Sequence, residues 1–106
     1  MPTEKRFKQQ IQNGRMIEDE SEMTEGYKKA LKATLKVSAD TELMSAPAYY
    51  EQSMNAPTLD ARASCVSVIQ DELGHGHIAY RLLEDLGEDR EELIYEREPH
   101  EFRNTY

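Results

Sequence analysis

The four residues Asn55-Ala56-Pro57-Thr58 separate a pair of stretches that are each long enough, and suitably patterned, for a long helix. Proline inside a helix removes a backbone donor and clashes with the preceding turn, yet it is well tolerated at a helix start. Asn55 and Thr58 are both cap-type residues. The segment therefore predicts a turn and a restart, with an antiparallel helix on each side. The first helix is expected from about Glu25 to about Ser53, entered through Thr24 as N-cap. Leu31, Leu35, Ser38, Glu42, Ser45 and Tyr49 fall on one stripe at steps of three or four. Pro47 lies inside it and is expected to kink or locally unwind the helix. The second helix is expected from about Pro57 to Leu86 and stops at Gly87, a suitable residue just past a helix end. Its inner stripe is Cys65, Val68/Ile69, Glu72, His75/Gly76, Ala79, Leu82/Leu83 and Leu86.

Residues 1–24 form a charged lead-in with a short helix around Glu4–Asn13, and a short third helix is expected from Asp89 to about Arg97. Residues 98–106 form an irregular tail. No stretch alternates as a strand would. The fold class is all-α: one domain over 1–106, built on a helical hairpin.

Asp and Glu number 21 against 13 Lys and Arg, a net charge of −8. That balance argues against nucleic acid, because little here would neutralise phosphates. No apolar run approaches the roughly 20 residues that span a bilayer, and the charged N-terminus does not read as a signal peptide. Cys65 is the single cysteine, which fits a reducing compartment. The expectation is a soluble cytoplasmic protein without a membrane or nucleic-acid partner.

Two polar residues interrupt the second stripe. Glu72 and His75 stand three apart, so a helix projects both from one face. Glu-x-x-His on an inward face is the half-site from which di-iron and di-manganese carboxylate bundles are built. Glu42 lies 14 residues before Ala56 and Glu72 16 after it. At about 1.5 Å per residue, those distances are roughly 21 and 24 Å from the turn. Antiparallel pairing brings Glu42 level with Glu72 and His75, and three such groups in a small core would need a compensating ion. Carboxylates with one imidazole suit Fe(II), or Mn. Asp71 is a candidate to support the site by accepting an N–H from a ligand histidine. Gly74 and Gly76 suggest a close helix approach beside the metal. Tyr49, Tyr50 and Tyr80 are core or pocket candidates, Cys65 a buried apolar residue, and His77 and His100 surface residues.

Ala39-Asp40-Thr41-Glu42, Ala56-Pro57-Thr58-Leu59, Val68 through Gly76 and Tyr80 through Gly87 together resemble the phenylacetate-catabolism family, in particular the catalytic subunits of its ring-epoxidising oxygenases. The resemblance runs from near Phe7 to the last residue. It implies a ferritin-like fold, here half of a four-helix bundle. It also implies a non-haem di-iron centre that adds oxygen from O2 to the ring of an aromatic acyl-CoA, with other oxygenase subunits and a reductase as partners. Glu42 matches the first-helix ligand, Glu72 and His75 the Glu-x-x-His pair, and Asp71 the acid before it. Family members continue into a second helical pair with a second such set, whereas this sequence holds one Glu-x-x-His. The expectation is thus half a site, completed by a homodimer or a complementary half. The other readings are a dimeric iron-binding, ferroxidase-like half-bundle and a non-catalytic scaffold with a vestigial site.

Overall fold

The structure, a computed structural model, describes residues 3–103. The first two residues of the expected lead-in and residues 104–106 of the expected tail lie outside the described residues. The chain divides into two compact units, one running to Thr34 and the other starting at Leu35. Its long helices are α1 (Glu4–Gln12), α2 (Glu25–Met54) and α3 (Leu59–Asp85), and there is no strand among the described residues.

In the first unit Thr3 caps α1, its hydroxyl accepting the Arg6 N–H at 3.2 Å. Phe7 is buried against the edge of Tyr27, with ring centroids 5.3 Å apart at 71°. Arg15 stands over the Phe7 ring at 5.3 Å. Thr24 caps α2 as expected, accepting the Tyr27 N–H at 3.2 Å. The Glu4 carboxylate accepts from the Thr24 hydroxyl at 2.7 Å and from the Gly26 N–H at 2.9 Å. An acid here also complements the positive end of the helix. These two bonds, the hydroxyl's first, hold the Glu4 carboxyl below its ordinary range.

The second unit is the helical hairpin. Thr58 caps α3 by accepting the Ala61 N–H at 3.1 Å. Arg62 reaches back to the Ser53 and Met54 carbonyls at 3.1 and 3.4 Å, satisfying acceptors that the end of α2 leaves open. At the far end of α3 the Gly87 N–H bonds the Glu84 carbonyl and the Glu88 N–H the Leu83 carbonyl, with Gly87 at φ +96°. That is the 5→2 and 6→1 pairing that a glycine in the left-handed region permits. The helix α2 runs unbroken through Pro47, which corrects the expectation of local unwinding there.

On α2 the stripe that packs is rotated by about one residue from the one read in the sequence, while on α3 Gly76, Ala79 and Leu83, and Leu86 at its end, are buried on the stripe expected. On α2 the buried residues are Ala39, Asp40, Ala46 and Ser53; on α3 they are Gly76, Ala79, Tyr80 and Leu83. Ala39, Gly76 and Ala79 are small, Tyr80 and Leu83 fill the core beside them, and Leu82 is left 45% exposed. Gly76 is the close approach expected, since a Cβ there would stand 3.6 Å from the Ala39 carbonyl oxygen and from Glu42 Cβ. Gly74 is not: nothing lies within 4 Å of the same position. Cys65 is half-buried rather than buried.

Asp40 is fully buried and is the polar centre of this unit. Its Oδ1 accepts the Tyr80 hydroxyl and Arg97 Nη2, both at 2.6 Å; its Oδ2 accepts Arg97 Nη1 at 3.0 Å and the Arg103 N–H at 2.8 Å. Burial alone would push this carboxyl up. The bonds from Arg97, Tyr80 and Arg103 outweigh it and hold the group below its ordinary range. The expected third helix is a π-helix over Glu92–Glu96. Arg97 Nε donates to the Leu93 carbonyl at 2.7 Å, the place an α-helix gives to the residue 97 amide. The tail residues Pro99–Glu101 form one 3₁₀ turn, and Phe102 lies under the Arg97 guanidinium at 4.1 Å.

Candidate metal centre

Glu42 comes from α2, Glu72 and His75 from α3, and antiparallel pairing brings the three together as the residue count requires. One ligand atom from each lies within 4.8 Å of the others. They stand at the edge of the seam rather than inside it, with the His75 side chain 60% and that of Glu42 30% exposed. The seam takes only the faces that two helices can press together, so the outer part of the stripe stays open. Burial of the whole cluster therefore does not argue for an ion here. Two local observations do.

The first is that Glu42 Oε2 is buried without a hydrogen bond among the described residues. Its nearest cation candidate, His75 Nδ1, is 3.6 Å away, beyond hydrogen-bonding distance. An orphaned carboxylate oxygen is costly, and it needs a positive partner. The second is the crowding of two carboxyls. The Glu72 carboxyl beside it, then burial, pushes the Glu42 carboxyl up, while the nearby His75 pulls the other way. Glu72 moves down, held chiefly by a hydrogen bond from Glu42 and further by Ser45 and His75, against its own burial. The two carboxyls are thus driven apart in opposite directions, as close acids are. A divalent cation would serve both, and two carboxylates with one imidazole form a donor set fit for iron or manganese.

Asp71 lies on the exposed side of α3, about 100° around the helix from Glu72. Of the tyrosines, Tyr80 is core, Tyr49 is 40% exposed, and Tyr50 lines an open apolar groove of about 600 Å³ with Leu43, Met44, Pro47, Leu73 and Phe102. His77 and His100 are exposed, as read. Sequence reasoning placed Ser45 on the stripe but gave it no role in the site. Its hydroxyl lies 3.0 Å from Glu72 Oε2. The signal was available: Ser45 follows Glu42 by three, the same helical step that links Glu72 to His75.

No helix among the described residues is long and apolar enough to cross a membrane. Residues 4–106 match the family model described as phenylacetic acid catabolic protein. Over 93 residues the chain is 34% identical to the A subunit of 1,2-phenylacetyl-CoA epoxidase from Escherichia coli (strain K12). That alignment covers 88% of this chain and 30% of the relative, so the chain spans less than a third of the protein it matches. No solved structure matches. With the match covering nearly the whole sequence, the chain belongs to the phenylacetic acid catabolic protein family.

Proposed function

We propose that this chain supplies one metal-holding half of a non-haem di-iron oxygenase similar to phenylacetyl-CoA epoxidase, acting on the ring of an aromatic acyl-CoA. The convergence of Glu42, Glu72 and His75, with Glu42 Oε2 buried and without a hydrogen bond among the described residues, supports this reading most directly. Glu42 and Glu72 would hold iron through carboxylate oxygens and His75 through an imidazole nitrogen. When bound, the iron supplies the reductive activation of O2 that puts one oxygen into the ring. The residues of the chain fix the donors: α2 and α3 set their depth, and both carboxyls would bind as carboxylates. Manganese suits the same donors.

A di-iron site takes a Glu and a Glu-x-x-His from each half. The second set would come from a second copy of this chain or from a complementary helical pair, on the same polypeptide or another. Further oxygenase subunits and a reductase would provide the electrons and, given the net charge of −8, a basic surface for the CoA.

The test is anaerobic Fe(II) titration with the mass of the assembly measured alongside. The expected result is iron bound by the native chain and lost in Glu42→Ala and His75→Ala. Unchanged iron stoichiometry in both variants would refute the ligand set. Consumption of an aromatic acyl-CoA that requires both reductant and O2 supports the oxygenase; iron oxidation without it identifies a ferroxidase instead.

A further inference from the structure

Ser45 sits one turn after Glu42 and faces α3. Its hydroxyl has one proton and two acceptors in reach, the Glu42 carbonyl at 2.8 Å and Glu72 Oε2 at 3.0 Å. A mid-helix serine is ordinarily satisfied by the carbonyl three or four residues back. Here the same hydroxyl also meets a carboxylate from the opposing helix, 27 residues away in sequence. The two acceptors compete for the single proton and either alone would satisfy it, so Ser45 does not need the second contact in order to fold. Nor does Glu72, which is half-exposed and open to water.

We propose that Ser45 is a positioning residue of the metal centre: its hydroxyl holds one oxygen of Glu72 and so turns the other toward the ion. The inference rests on the metal reading above and adds a residue to it. Glu72 has several rotatable bonds, and an unrestrained carboxylate would lose that freedom only on binding. A hydroxyl that fixes the carboxylate beforehand removes some of that cost from the binding step. Groups that orient a ligand in this way change metal affinity by about 10- to 100-fold when removed.

The experiment uses the full chain with Mn(II) as probe, its free concentration followed by electron paramagnetic resonance, and Co(II) absorption as a second readout. Ser45→Ala is expected to weaken Mn(II) binding by about 10-fold or more and to alter the Co(II) visible bands, while the unfolding temperature of the metal-free chain stays close to that of the native protein. Ser45→Thr keeps a hydroxyl that bonds the same carbonyl and is expected to restore affinity and spectrum. Native binding with equal affinity in Ser45→Ala overturns the inference. So does loss of affinity in both variants together with a lowered unfolding temperature, which marks Ser45 as packing alone. If the native chain itself takes no Mn(II), and Glu72→Gln behaves identically, the metal reading fails first and this inference falls with it.

Discussion

Tyr80 on α3 donates its hydroxyl to Asp40 on α2 at 2.6 Å, and the carboxylate that accepts it is fully buried. The bond crosses the hairpin seam and shares Asp40 Oδ1 with Arg97. A buried acid with four hydrogen bonds and a bidentate guanidinium is satisfied only while every partner remains. Removing the charge partner leaves Asp40 uncompensated, which typically costs about 3–5 kcal/mol. Arg97→Ala is thus expected to lower stability by about that amount, a large share of the roughly 5–15 kcal/mol that holds a small protein folded. Tyr80→Phe removes one neutral donor and leaves the guanidinium, so about 1–2 kcal/mol is expected. Urea unfolding of the two variants checks the order; a larger loss in Tyr80→Phe than in Arg97→Ala would sink it.

Glu4 makes a pH-dependent contribution in the first unit. Its carboxyl is held low by the Thr24 hydroxyl and the Gly26 N–H. A depressed folded-state value means the contribution is present above the unfolded value of about 4.3 and is lost as pH falls through the folded one. Below both values the charge is gone from either state, and nothing remains of it. The Gly26 amide proton shift is expected to titrate with a midpoint below about 4.3, and Thr24→Ala should move that midpoint upward. A midpoint at or above the ordinary glutamate value contradicts the structure.

How much of this was readable depended on the range of each interaction. Thr24, Thr58 and Gly87 announced helix ends because capping is a matter of three or four neighbouring residues. Glu42, Glu72 and His75 were readable because a turn of known position and a fixed rise per residue convert sequence distance into depth. The packed stripe was read correctly on α3, where Gly76, Ala79 and Leu83 are buried, and misjudged by a fraction of a turn on α2, where Ala39 and Ala46 pack but carry little hydrophobic signal. Asp40 could not be paired from sequence, because Arg97 and Arg103 lie 57 and 63 residues away.

Two glycines are expected to respond to alanine with opposite signs. Gly74 is mid-helix with open space where a Cβ would stand, so Gly74→Ala should stabilise by about 0.5–1 kcal/mol. Gly87 holds φ +96°, which costs an L-residue roughly 1–2 kcal/mol, so Gly87→Ala should destabilise. Thermal unfolding of the metal-free variants reads both. Stabilisation by Gly87→Ala would mean that the end of α3 is not the left-handed glycine cap described above, and destabilisation by Gly74→Ala that its Cβ position is not open.

Glu42 is where stability and site chemistry oppose each other. Its Oε2 is buried without a hydrogen bond among the described residues, and its carboxyl crowds that of Glu72. Glu42→Gln replaces one member of an acid pair by a neutral amide that can donate to Glu72, so the metal-free chain is expected to unfold at the same or a higher temperature. The same change removes a charged ligand. The native chain at 100 times the dissociation constant for Mn(II) gains about 2.7 kcal/mol, which for a domain of this size raises the melting temperature by roughly 10–20 °C, at about 4–8 °C per kcal/mol. Glu42→Gln should lose that rise. A structural acid would give the reverse pattern, a lower melting temperature without metal and an unchanged increment with it. The two melting curves with and without Mn(II) therefore decide whether Glu42 serves the fold or the ion.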